Sequence, residues 1–224
     1  QSNLGGFFSV IEACRRHPVG HLVYASSGAV YGESDAQPLL PEARTDAPEN
    51  FYGATKKANE IFAETYSRLY GIPMTGLRFF TIYGPWGRPD MSYFVFLARL
   101  HAGEPIQLYN FGDVRRDFTH VRDAVCCMKK LTEIVPEPGK GMSPHRIYNI
   151  GTDTPVSLRD FVSLLERKTG LKASLSMKDK RKGQVEDSWA DISRTRADLG
   201  FAPETDLELG VEELVAWYRD YFGV

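Results

Sequence analysis

Tyr52 and Lys56 stand four residues apart in Phe51-Tyr52-Gly53-Ala54-Thr55-Lys56-Lys57. On a helix, positions i and i+4 share a face, so phenol and ammonium would point into the same space. Coulomb attraction to the lysine favours the phenolate and draws a group of reference pKa about 10 toward working pH, where it serves as acid or base. A chain with 11 tyrosines meets this spacing readily by chance, so on its own it equally fits a surface tyrosine beside a solvated lysine.

The pair needs a helix to carry it and a sheet to hold that helix. Ala54, Ala58, Ile61, Phe62, Tyr66 and Leu69 recur at helical spacing, closed by Gly71 and Pro73. Upstream, His21-Leu22-Val23-Tyr24-Ala25-Ser26 is a near-continuous apolar run, the pattern of a strand buried in a parallel sheet. It breaks at Ser26-Ser27-Gly28, at the strand's carboxyl end, where open α/β sheets bind ligands. Met74 to Phe80 reads as the next strand. Strand, loop, helix, strand is a parallel crossover, so Ser27 and Tyr52 are expected near the same sheet edge.

The remaining pattern is looser. A helix is expected over Phe7 to His17, ahead of Pro18, and another over 92–102. A short strand follows at 105–109, then a helix at 123–135 and a strand at 146–150. Ser157 and Asp160 form a capping box for a helix carrying Phe161, Leu164 and Leu165. The tail offers a strand near Leu175, a short helix at 194–199 and an amphipathic final helix at 211–222. Trp189, Trp217, Met128 and His120 read as core or surface residues.

The 224 residues suffice for one or two domains with a substantial core. A formal net charge of −2 with 25% charged residues argues against a nucleic-acid partner, which calls for a basic excess. No apolar run approaches the roughly 18 residues of a membrane span, and no basic-then-apolar leader is seen. The three cysteines, Cys14, Cys126 and Cys127, read as reduced core thiols. A cytoplasmic protein with no membrane partner and no metal site is therefore expected.

Four segments carry a likeness: Val23-Tyr24-Ala25-Ser26-Ser27 with Val30-Tyr31-Gly32; Tyr52 to Lys56; Leu77-Arg78-Phe79-Phe80 with Tyr83-Gly84-Pro85; and Arg116-Asp117-Phe118. Together they resemble the extended short-chain dehydrogenase/reductase family of nucleotide-sugar epimerases and dehydratases. The likeness spans essentially the whole chain. It implies an α/β fold with NAD as cofactor: the C-terminal half of a Rossmann-type parallel sheet, residues 1–83 with return elements near 116–150, and a smaller α+β substrate-binding domain over 84–224.

By this resemblance Ser27, Tyr52 and Lys56 are catalytic. Tyr52 would take the proton from a sugar hydroxyl, Lys56 would hold the nicotinamide ribose and lower the tyrosine's pKa, and Ser27 would hydrogen-bond the reacting oxygen. Asn3 belongs to the cofactor site, and Phe79 would pack under the nicotinamide or serve simply as core. Family dehydratases place Asp and Glu after this serine, where the present chain has Gly28 and Ala29. Neither can move a proton, so elimination is disfavoured and 4-epimerisation remains.

Gly84-Pro85-Trp86-Gly87-Arg88-Pro89-Asp90-Met91 looks like the corresponding UDP-glucuronate 4-epimerase segment. A guanidinium can grip a carboxylate bidentately, so Arg88 is expected on the sugar C6 carboxylate, with pairing to Asp90 as the alternative. Thr81 fits the same reading. The stretch SSGAVYG departs from the SSSSVYG of many such epimerases, which keeps a neutral nucleotide sugar open. Arg116 and Arg181 match diphosphate-binding arginines, Gln184 stands near the uridine ribose, and Gln107 and Tyr109 flank the base; the rest of the Lys178–Lys182 cluster reads as a solvated loop.

No glycine-rich dinucleotide fingerprint occurs. In the family it precedes the segment that Asn3-Leu4-Gly5-Gly6 resembles, by three βα units on the order of 90 residues. The expectation is that the 224 residues alone bind NAD negligibly and are inactive, with an upstream half completing an active epimerase; a truncated, inactive family member that only binds or oligomerises is the alternative. The edge of the 21–26 strand is expected to lack a neighbour, and relatives' dimers imply a homodimer through helices 3–16 and 53–70.

Overall fold

The computed structural model describes residues 1–224 except Arg181 and Gln184. The apolar run after Gly20 forms β1 (Leu22–Ser27), parallel to β2 (Met74–Phe79) with Ser27 opposite Phe79. On its other side β2 pairs, also in parallel, with β6 (His145–Ile150), so the sheet order is β1-β2-β6 and β1 lies at an edge. Helix α2 (Phe51–Tyr70) makes the crossover between β1 and β2, with α1 (Phe7–Arg16) packed beside it.

Period-two alternation sorts β2 onto two faces. Met74 joins Ile11, Tyr24, Ala63 and Ile72 under α1 and α2. Leu77 instead joins Tyr148, Ile150 and residues of α4 (Val121–Leu131) and α6 (Ser193–Leu199). Helices thus cover both faces, as parallel strands require.

A second group of strands carries the rest. The pairs are β3 (Thr81–Tyr83) with β5 (Arg115–His120) in parallel, β5 with β7 (Pro155–Ser157) antiparallel, and β4 (Ile106–Tyr109) with β8 (Leu175–Lys178) in parallel. Around them α3 (Ser92–Ala102), α5 (Leu158–Thr169) and α7 (Leu207–Phe222) close a core in which Phe118 and Phe161 stack at 4.2 Å.

Three differences from the sequence expectation have physical causes. Strands β3, β5 and β7 carry no apolar alternation to announce them. Two are three residues long, and β5 is polar because Asp117 is consumed by structure: its buried carboxylate accepts from the amides of Thr152 (2.7 Å) and Ala190 (3.1 Å). Helix α2 turns its apolar stripe outward. Ile61 and Leu69 are 53% and 65% exposed, while Gly53, Thr55, Asn59, Glu60, Ala63 and Ser67 are buried. The cysteines also divide: Cys127 is buried, its thiol pushed up to about 11 by burial, whereas Cys126 is exposed and Cys14 half-buried. Among the described residues no helix is long and apolar enough to cross a membrane.

Candidate active site

Asn50 caps α2 by accepting from the Gly53 amide at 2.9 Å. Gly53 then seats the helix. A Cβ there would lie 2.3 Å from the Ala29 carbonyl oxygen, so only glycine lets α2 press against the turn after β1. That turn is itself capped by Ser27, whose Oγ accepts from the Ala29 amide at 3.1 Å. The contact brings Ser27 and Tyr52 to the wall of one cavity of about 560 Å³, shared with Phe79, Trp86, Arg88 and Tyr93.

Ser27 is buried at the strand end, whereas Tyr52 is 43% exposed and presents its phenol to the cavity. One turn further, Lys56 is half-buried. Its ammonium donates to the Ala25 carbonyl at 2.9 Å and sits 5.9 Å from the Tyr52 ring centroid. Burial pushes the Lys56 pKa down, while the charged form still faces the tyrosine. Thr55 Oγ1 donates to the Tyr52 carbonyl at 2.7 Å and accepts from the Asn3 amide group at 3.0 Å. Asn3 therefore braces the first turn of α2 and lies outside the cavity lining.

A second cavity of about 680 Å³ meets the first at Met91 and is lined by Thr81, Gln107, Tyr109 and Arg116. The Arg116 guanidinium donates to the carbonyls of Arg115 (2.8 Å), Val185 (2.7 Å) and Glu186 (2.6 Å), and burial pushes its pKa down to about 10. Its close partners are thus neutral oxygens, which leaves its charge available to an anion. Tyr109 Oη donates to Gln107 Oε1 at 3.2 Å on the same wall. Arg181 and Gln184, the other residues matched to the nucleotide, lie outside the described residues. Arg99, Lys182 and Asn50 also line this cavity. Sequence reasoning passed over them because Arg99 sits on a helix read as core and Lys182 in a loop read as solvated.

Arg88 reaches the first cavity already paired. Its Nε and a terminal nitrogen meet Asp90 at 3.0 and 2.5 Å, the alternative left open by the sequence. Each partner stabilises the other's charged form, raising the arginine pKa and lowering that of Asp90. The pair is 66% exposed on both sides, so water competes for it and its net worth is small.

Beneath the site, Glu60 sits two turns after Tyr52 on α2 and accepts from Ser26 Oγ (2.6 Å) and from Arg78 (2.8 and 2.9 Å). Arg78 also donates to Tyr31 and to the Pro41 carbonyl. This buried polar cluster ties α2 to the end of β1. Nothing in the local sequence announces it, since the partners come from separate segments.

The chain has relatives among known proteins. Residues 1–151 match the NAD dependent epimerase/dehydratase family. An uncharacterized 37.6 kDa protein in the cld 5' region of Escherichia coli O111:H- is 42% identical over 234 residues, covering 100% of this chain and 70% of the relative. UDP-glucuronate 4-epimerase 2 of Arabidopsis thaliana is 41% identical over 232 residues, covering 99% of this chain and 54% of its own length. Among solved structures, MoeE5 in complex with UDP-glucuronic acid and NAD superposes with a TM-score of 0.89 at 32% identity, covering 98% of this chain and 71% of that one.

Proposed function

Because the chain belongs to the NAD-dependent epimerase/dehydratase family, we propose that it carries the chemistry of C4 epimerisation of a UDP-sugar, with UDP-glucuronate as substrate. The observation that carries this reading is a pair of cavities sharing Met91 in their walls, with Ser27, Tyr52 and Arg88 on the first and Arg116 with Gln107 on the second. An acid/base pair therefore stands within reach of a sugar whose diphosphate is held elsewhere.

The residues at the first cavity fit the nicotinamide end of NAD. Phe79 offers an apolar wall, and Lys56, outside the lining, places an ammonium 5.9 Å from the Tyr52 ring centroid. NAD held there would supply a hydride acceptor for the sugar C4 and a hydride donor for its opposite face. Tyr52 as phenolate takes the proton of the 4-hydroxyl and later gives it back. Lys56 sets a positive charge beside the phenol and would hold the nicotinamide ribose, while Asn3 fixes the helix turn that bears both. Ser27 Oγ hydrogen-bonds the oxygen that becomes a carbonyl. Gly28 and Ala29 supply no proton-moving group, so water is not eliminated and the 4-keto sugar turns in the cleft before reduction.

Arg116 takes the diphosphate, Gln107 and Tyr109 the base, and Thr81 with Arg88 the sugar. In this reading residues 1–83, with strands returning from 116–150, serve the cofactor, while 84–224 serve mainly the nucleotide sugar. The name of the Arabidopsis relative and the ligands of MoeE5 support it. The Arg88–Asp90 pair favours a second reading, an epimerase of a neutral UDP-sugar, because it leaves no net charge facing the sugar. The same reading includes a homodimer through α1 and α2, supported by the exposed apolar side chains Phe8, Val10, Ile61 and Leu69.

The natural gene product carrying these residues is expected to interconvert UDP-glucuronate and UDP-galacturonate, followed by anion-exchange chromatography, and Tyr52→Phe should abolish the exchange. Full activity of that variant would sink the assignment, and exchange confined to UDP-glucose and UDP-galactose would favour the neutral sugar.

A further inference from the structure

The loop that carries Arg88 is held in a conformation its own sequence does not favour. Trp86 has φ 61°, in the left-handed region where a bulky side chain is strained, and Gly84 has φ 137°. Such backbone persists only where surrounding structure over-determines it. The following residue is also constrained: a Cβ at Gly87 would lie 2.1 Å from the Tyr93 hydroxyl.

What holds Trp86 comes from the far end of the chain. Its ring, on a residue 76% exposed, lies 5.4 Å from the rings of both Trp217 and Tyr221 on α7, tilted at 55° to the first and edge-on at 78° to the second. Those two rings stack on each other at 5.4 Å and 23°, and Trp217 leans in turn on Phe94 of α3 at 6.1 Å. Trp217 Nε1 is buried without a hydrogen-bond partner, so its indole is fixed by ring packing rather than by polar anchoring. Two aromatic rings thus fasten the strained residue two positions before Arg88, on the wall of the Tyr52 cavity.

We propose that Trp217 and Tyr221 are positioning residues that clasp Trp86, hold Arg88 at the sugar end of the cleft and so set the preference for a carboxylate-bearing UDP-sugar. The inference rests on the reading of Arg88 given above. Neither aromatic touches the substrate in this scheme; their effect passes through Trp86 alone. Loss of the clasp lets the loop relax and costs the carboxylate its bidentate partner, while a neutral sugar, which never used Arg88, is indifferent.

Calorimetric titration with UDP-glucuronate and with UDP-glucose tests this. Trp217→Ala and the more exposed Tyr221→Ala should each weaken UDP-glucuronate binding by about fivefold to tenfold, leave UDP-glucose within about twofold, and Trp217→Phe should restore much of the loss. On an Arg88→Ala background the same substitutions should add nothing, since the clasp acts only through that arginine. Equal weakening of both ligands, or additivity with Arg88→Ala, would overturn the clasp and leave a merely structural role for the aromatics. If Arg88→Ala itself spares UDP-glucuronate binding, the carboxylate reading fails first and the clasp with it. Tyr221→Ala keeps the test decisive should Trp217→Ala unfold.

Discussion

Glu60 and Arg78 form a bidentate pair of 2.8 and 2.9 Å in which both side chains are at most 4% exposed. Removing one member leaves the other charge buried and unpaired. Glu60→Gln is therefore expected to lower stability by about 3–5 kcal/mol, read as a shift in the urea midpoint. Replacing both by Leu and Met of similar volume should recover most of that loss. A Glu60→Gln protein of unchanged midpoint would show that the pair carries little.

Gly53 joins the helix bearing Tyr52 to the turn after Ser27 through its contact with Ala29. Gly53→Ala places a methyl group 2.3 Å from a backbone oxygen, and backbone cannot rotate away as a side chain can. The helix must lift from the turn, at about 1–3 kcal/mol. Thermal melting should register that cost, and turnover should fall with it because Tyr52 moves away from Ser27. The neighbouring substitution Ala54→Gly, on the exposed face, is the control expected to leave turnover intact.

The placement of Ser27 and Tyr52 near one sheet edge was legible from sequence for a physical reason. Ser27 ends an apolar strand and Tyr52 and Lys56 share a helix face, so pattern and spacing bring them near one another, while the roles given to them came from the resemblance. The orientation of α2 was not legible. Its buried face carries Glu60, which answers Arg78 from another segment, and a hydrophobic pattern read in isolation assigns Ile61 and Leu69 to the inside. The partner of Arg88 lay two residues away and was readable as an alternative, whereas the strain at Trp86 depends on α7 and leaves no local trace.

The outward stripe itself makes a prediction. With Phe8 and Val10 on α1 and Ile61 and Leu69 on α2 exposed, a second copy of the chain can bury what the fold leaves in water. Sedimentation velocity should find a dimer that Ile61→Lys combined with Leu69→Glu converts to monomer. A monomeric wild-type protein at tens of micromolar would rule the interface out.

Acid sensitivity should trace in part to His145. Its Nε2 is 2.9 Å from the Tyr24 hydroxyl and its Nδ1 2.9 Å from Glu64, an arrangement that suits the neutral ring with Nδ1–H donating to the carboxylate. Burial pushes the pKa down, and this outweighs the upward pull of Glu64. The folded state therefore binds fewer protons than the unfolded state near the ordinary histidine pKa. The stability this confers is full above about pH 6.5 and is lost as pH falls toward the depressed folded value. His145→Gln should flatten the stability profile over that interval, and an unchanged profile would assign the acid loss to other groups.

Arg116 makes the sharpest separation between holding the fold and holding a ligand. Its guanidinium spans carbonyls at 115, 185 and 186, and lysine, with a compact ammonium, cannot span all three. Arg116→Lys should keep the charge and lose the fork. Charge-assisted hydrogen bonds contribute about 1.5–3 kcal/mol each, so UDP affinity is expected to fall by roughly tenfold to a hundredfold by calorimetry. Arg116→Met removes the charge as well and should also weaken the salt dependence of UDP binding, because part of that dependence is attraction between the buried cation and the diphosphate. If Arg116→Met binds UDP as tightly as the wild type at low salt, the diphosphate is held elsewhere in the cleft, with Arg99 and Lys182 the cations remaining on its described wall.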